Sequence, residues 1–238
     1  MNPSEKSSVE EIRTRFDSDV ERFSNLETGQ SATMDAPLVL DLVTRVAAAQ
    51  RPDANAVLDI GCGAGNYTLK LLEKMPGMDC TLVDLSQPML DRARGRVGAS
   101  SAGQVTTLQA DIRNVDLPDE TFDVVMAAAV LHHLRSDSEW HDVFAKIHRA
   151  MRPGGIFLVN DLVTQDVPAA GKVQWQRYGE YLIDLRDDEY RQTVFDYIEK
   201  EDTPKSVLFQ LDVCRDVGFR QVELLHLNAC FGAYCAVK

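Results

Sequence analysis

The sequence has no C-x-x-C pair, no apolar run near the roughly 18 residues of a membrane-spanning helix, and too few basic residues to balance its acids. Each absence excludes something. The five cysteines, Cys62, Cys80, Cys214, Cys230 and Cys235, are scattered and odd in number, so neither a disulfide framework nor a standard zinc site is expected. The opening MNPSEKSSVEEIRTRF is charged at short intervals and has no apolar targeting core, which points to a cytoplasmic protein without a membrane anchor. With 25 Lys and Arg against 37 Asp and Glu, the formal net charge is −12. Such a chain repels polyanions, so broad nucleic-acid binding through a basic face is disfavoured. What remains is ordinary globular composition, 45% apolar and 26% charged over 238 residues, enough for one sizeable core.

Patterning divides this single expected domain into four stretches. Residues 1–52 read as a short polar tail and a helical cap, with an amphipathic helix around Val9 to Phe23, a polar stretch from Ser24 to Thr33, and a second helix from Ala36 to Gln50. Residues 53–162 repeat a unit in which a short β-branched run ends in an acidic or small residue and a helical pattern follows. The runs are Ala56 to Ile60, Cys80 to Asp84, Val105 to Ala110, Phe122 to Ala128 and Ile156 to Val159. Strands separated by helices argue for a doubly wound α/β fold with a mostly parallel sheet. Residues 163–203, rich in aromatics and charge, read as a helical, lid-like insertion. Residues 204–238 read as a closing helix and an antiparallel strand pair, Gln221 to Leu227 and Phe231 to Val237.

The most informative stretch is VLDIGCGAGNY, a buried strand running through a G-x-G-x-G turn into a helix. Glycine permits positive φ and close approach of a ligand to the backbone. In a dinucleotide fingerprint a third glycine would stand at position 66, where this chain has Asn66; the lysine and hydroxyl of a P-loop are absent too. A pyrophosphate cradle, and with it a nicotinamide dehydrogenase, is the weaker reading. Asp84 ends the second strand and Asp111 follows the third. An acid at the end of the second strand can accept both hydroxyls of a ribose. Asp111 and Ile112 would flank an adenine, and Asp59 would lie near a positively charged amino group. Three acids around a glycine turn suit a cationic nucleoside rather than a phosphorylated one.

Taken together, VLDIGCGAG, TLVDLS, QADI, FDVVMAAAVLHHL and MRPGG resemble the successive motifs of the class I S-adenosylmethionine-dependent methyltransferases, over roughly Ala56 to Leu162. The resemblance implies a seven-stranded Rossmann-like sheet with an antiparallel last strand, S-adenosyl-L-methionine as cofactor and S-adenosyl-L-homocysteine as product. It implies cofactor contacts at Asp59, Gly61, Cys62, Gly63, Asp84, Leu85, Asp111, Ile112 and Ala128. VNDLV, the W-x-x-Y insertion and the final FGAYCAVK are similar to small methyltransferases related to the carboxy-S-adenosylmethionine synthases of wobble-uridine modification. In those synthases an arginine of the insertion holds the extra carboxylate, and Arg191 is the nearest candidate. Ala128 stands where they have an asparagine, and motif I differs at Ala64 to Gly65, which favours ordinary methyl transfer to an O, N or C nucleophile of a small-molecule acceptor. The alternatives are a carboxylated-cofactor synthase or tRNA-modification enzyme, and a nonenzymatic cofactor-binding module.

The acceptor side is less legible. His133, with His132, lies just past the fourth strand, where substrates bind in open α/β sheets and where an imidazole can take a proton. Packing is the competing role. The pair alone offers too few ligands for a metal, and His141 and His148 lack acidic company, so none is expected. Trp175 and Tyr178 fall at helical spacing, either as a packed face or as walls of a substrate pocket. A homodimer is compatible with all of this.

Overall fold

Short runs of valine, leucine and isoleucine with apolar side chains on both faces can be satisfied only as central strands covered on two sides. The computed structural model describes residues 6–25, 29–100 and 103–238 and shows this arrangement. The expected tail at residues 1–5 and part of the polar stretch, residues 26–28, lie outside the described residues.

The order is α1 (Val9–Ser18), α2 (Val20–Ser24), α3 (Ala36–Gln50), β1 (Ala56–Ile60), α4 (Asn66–Leu72), β2 (Asp79–Asp84), α5 (Gln87–Ser100), β3 (Val105–Gln109), β4 (Phe122–Ala128), α6 (Asp137–Ala150), β5 (Met151–Leu162), α7 (Pro168–Leu185), α8 (Asp188–Glu201), α9 (Val207–Asp216), β6 (Gln221–Asn228) and β7 (Phe231–Val237). The seven strands form one sheet in the order β3-β2-β1-β4-β5-β7-β6. β1 to β5 are mutually parallel, and β7 runs antiparallel to both of its neighbours. The sequence order of strands reverses between β1 and β4, and ligands of open α/β sheets bind in the crevice at such a switch point.

Alternation along the strands divides the core between the two faces. Val125 and Ala127 of β4 join Phe157 and Val159 of β5 under Trp140 and Phe144 of α6. Val124 and Met126, with Leu158, face the other way onto Val39, Leu40 and Val43 of α3. All five cysteines are buried, and among the described residues no helix is long and apolar enough to cross a membrane.

Two boundaries differ from the sequence reading. The expected helix from Val9 to Phe23 is broken at Asp19, whose backbone N–H returns to the carbonyl of Phe16. The break brings the Phe16 and Phe23 rings to 5.5 Å. MRPGG, which the sequence reading leaves ahead of the strand at Ile156 to Val159, is already part of β5: Met151 pairs with Phe122, and an irregularity between Phe122 and Val124 absorbs the extra residues.

Candidate functional site

The turn after β1 is built for close approach. Gly61, Gly63 and Gly65 all have positive φ. At Gly61 a Cβ would stand 2.6 Å from Cγ2 and 2.7 Å from Cβ of Val130, so the β4 loop packs directly on the turn. Gly61→Ala is therefore expected to cost about 1–3 kcal/mol in a denaturant titration, and a Val130→Ala background is expected to relieve only part of it, because alanine keeps the Cβ at 2.7 Å and the positive φ at Gly61 remains. At Gly63 a Cβ would meet nothing within 4 Å, so the turn faces open space there.

That space is one cavity, lined by all nine residues expected around a cofactor, Asp59, Gly61, Cys62, Gly63, Asp84, Leu85, Asp111, Ile112 and Ala128, and by His133. Asp84 shapes its floor: one carboxylate oxygen accepts from the Gly63 N–H at 2.8 Å and the other from the Ser86 N–H at 2.9 Å. Burial nevertheless raises the Asp84 pKa above the ordinary carboxylate value. Asp59 is buried at the end of β1 and accepts from the Thr68 hydroxyl at 2.6 Å. Its pKa is pushed up to about 7, chiefly by burial. Asp111 is engaged by Arg113, whose backbone N–H lies 2.9 Å and Nε 3.0 Å from Oδ1.

The roof of the cavity comes from the N-terminal helices, with Val9, Ile12 and Phe16 of α1 and Phe23 of α2. Asn66 fastens this roof to the turn: its Nδ2 donates to the carbonyl of Phe23 at 2.8 Å, and its Oδ1 accepts from Arg96 at 2.8 Å. Tyr67 and Asn160 also line the cavity, and the Asn160 amide donates to the Tyr67 oxygen at 2.6 Å.

The insertion is placed differently from the sequence expectation. Trp175, Tyr178 and Arg191 do not line the cavity. Tyr178 is buried in a separate cluster with Phe231, against which Trp175 packs, and Arg191 pairs with Asp188 at 3.0 Å. The amphipathic spacing is satisfied by packing of the insertion's helices on each other and on the chain near Ala32. The insertion buttresses the roof from behind: the Tyr178 hydroxyl donates to the Ala32 carbonyl at 3.0 Å, and Arg15 of α1 pairs with Glu201 of α8 at 2.6 Å.

His132 and His133 lie on a single 3₁₀ turn, Leu131–His133, after β4. Asp161 on β5 holds His132, accepting from its backbone N–H at 3.1 Å and meeting its Nδ1 at short range. Burial opposes charge on His132, but Asp161 and Asp202 outweigh it and raise the pKa to about 9. His133 is pushed the other way, by burial and then by the neighbouring His132, and stays neutral. Asp202, just beyond α8, brings a carboxylate to both imidazoles. The histidine pair therefore has acidic company that its sequence neighbourhood does not show. Asp161 and Asp202 are not legible as site residues in the sequence, because VNDLV reads as a strand end and EKEDTP as a solvated helix end.

A switch-point cavity with a glycine turn, an acid at the end of β2 and a second acid after β3 defines a nucleoside-binding α/β protein of the methyltransferase class. Comparison with known proteins agrees. Residues 57–155 match the family described as a methyltransferase domain. The chain is 31% identical over 201 residues to a carboxy-S-adenosyl-L-methionine synthase of Aliivibrio fischeri, spanning 79% of this chain and 78% of that protein. Among solved structures, the 1,6-didemethyltoxoflavin-N1-methyltransferase of Burkholderia thailandensis superposes with a TM-score of 0.63 at 18% identity, covering 98% of this chain and 91% of that one. An O-methyltransferase family protein of the same organism gives 0.66 at 18% identity, covering 94% of this chain and 62% of that one.

The chain belongs to the class I S-adenosylmethionine-dependent methyltransferases and is related to the carboxy-S-adenosylmethionine synthases among them. Its cofactor is S-adenosylmethionine, and the residues present fit that molecule: the turn is open at Gly63, and the buried Asp59 and half-buried Asp84 line the cavity as carboxylates suited to a cationic nucleoside.

Proposed function

We propose that the chain methylates a small, largely apolar molecule enclosed between the cofactor turn and the roof helices. The observation that carries this reading is the roof itself: α1 and α2 place Val9, Ile12, Phe16 and Phe23 over the cavity, an apolar surface suited to a small molecule and unsuited to a polyanion. When bound, the cofactor supplies an electrophilic methyl group. The chain's own contribution is positional. Asp59, Asp84, Asp111 and Ile112 hold the nucleoside, the roof excludes water, and His133 marks the polar end where the acceptor's nucleophilic atom would lie. Alignment and desolvation supply the rate, since a carboxylate against the sulfonium would favour the ground state.

A carboxylated-cofactor synthase is the second reading, favoured by the similarity to the Aliivibrio protein. It requires a cationic side chain free to meet the extra carboxylate. Arg113 is the one arginine or lysine among the described lining residues, and it is committed to Asp111 and to Glu139. Arg191 stands outside the cavity. Mass spectrometry of the nucleoside that copurifies with the protein separates the two readings. S-adenosylmethionine or S-adenosylhomocysteine, together with methyl transfer to a member of a small-molecule acceptor panel, is the expected result. A nucleoside heavier by a carboxylate would overturn it.

A further inference from the structure

Beside the acceptor end of the cavity, donors from two distant segments converge. His132 Nε2 lies 3.6 Å, and His133 Nδ1 3.4 Å, from Oδ1 of Asp202. One ligand atom from each residue lies within 4.8 Å of the other two. The atoms are close without being bonded: both ring nitrogens of His133 and Oδ1 of Asp202 are buried with no hydrogen-bond partner. Buried polar atoms of this kind are uncommon in native interiors and call for a partner, an ordered water or an ion; the backbone of Glu201 is a polar neighbour of the His133 ring.

The surroundings are those of a built site. Asp161 occupies Nδ1 of His132 from behind, which fixes the ring and turns Nε2 toward Asp202, the carboxylate–histidine arrangement that supports metal-ligating imidazoles. Asp202 is anchored by its neighbours, since the Thr203 N–H donates to the His132 carbonyl at 2.7 Å and Arg135 donates to the Thr203 hydroxyl at 2.9 Å. Two cations stand nearby, but Arg15 is paired with Glu201 at 2.6 Å, and Arg135 is directed to the Glu201 carbonyl and to Thr203.

Metal bonds to imidazole nitrogen and carboxylate oxygen of about 2.0–2.2 Å place the corners of a tetrahedron about 3.3–3.6 Å apart. The separations at Asp202 match those edges. We propose that His132 Nε2, His133 Nδ1 and Asp202 Oδ1 hold one divalent transition-metal ion of the zinc or ferrous class. Two imidazoles and one carboxylate select such ions over magnesium or calcium, which prefer all-oxygen shells. Because His133 lines the cavity, the ion stands at its wall with positions left for an oxygen of the acceptor. That last role rests on the methyl-transfer reading; the ion site does not.

The test uses the full chain, stripped with a chelator and titrated with cobalt(II). One equivalent is expected to bind with a visible ligand-field band, to be displaced by zinc(II), and to bind more than about tenfold more weakly in His133→Gln and in Asp202→Ala. Thermal melts verify folding, and if Asp202→Ala does not fold, His133→Gln decides. Calorimetry with S-adenosylmethionine on the same samples keeps the two readings separate. Absence of the band in wild-type protein that still binds the cofactor would show a metal-free ion pair of His132 with its two carboxylates. A band that persists undiminished in His133→Gln would place the ion elsewhere. Either result overturns the proposal.

Discussion

Asp84→Ala is expected to weaken S-adenosylmethionine binding by about 1.5–3 kcal/mol, roughly 10- to 150-fold in a calorimetric titration. The range is that of hydrogen bonds made to an ionised group, and on the proposed reading the partners lost would be the two ribose hydroxyls. The variant also removes the acceptor of the Gly63 and Ser86 N–H groups, so the cofactor-free turn loosens as well. Asp84→Asn separates the contributions, because the amide keeps an oxygen for one N–H but carries no charge. Affinity unchanged in the alanine variant would reduce Asp84 to a support of the turn.

The second large effect concerns Asp59 and pH. Its carboxyl titrates at about 7 in the folded chain, against about 3.9 for an unperturbed aspartate. The folded state therefore holds a proton that the unfolded state releases, and the associated stability is present at low pH and lost as pH rises from about 4 to 7. At about 1.4 kcal/mol for each tenfold change in proton affinity, that difference sets a ceiling of about 4 kcal/mol on the loss. Asp59→Asn is expected to abolish this dependence and to raise the melting temperature of the cofactor-free protein at pH 8. A cationic cofactor reverses the preference, so wild-type affinity should rise between about pH 6 and 8, with a proton released on binding near pH 6.5. Calorimetry in buffers of different ionisation enthalpy reads that proton directly. Equal proton release by the Asp59→Asn variant would assign it to another group.

Both predictions concern residues that are readable from sequence, for a physical reason. β1 and β2 are short, largely apolar runs; Asp59 stands next to the end of the first, just before the glycine turn, and Asp84 closes the second. Local pattern and tertiary position coincide there. They part company on the acceptor side. The spacing of Trp175 and Tyr178 announces an apolar helix face but not which surface covers it, and the face packs against Phe231 and the chain near Ala32. Val9 to Phe23 carries one helical period throughout, so the break at Asp19 that aims two phenylalanines into the cavity leaves little mark. Asp202 reaches the histidines only because α8 returns to the end of β4, a long-range fact with no local signal.

Asn66 stands where a dinucleotide fingerprint has glycine, and its side chain joins the cofactor turn to the Phe23 carbonyl in the roof. The same amide accepts from Arg96 of α5 through its other end. An amide in place of a glycine thus makes floor and roof of the cavity one hydrogen-bonded body, with a single side chain as the rivet between the turn, the roof and the neighbouring helix.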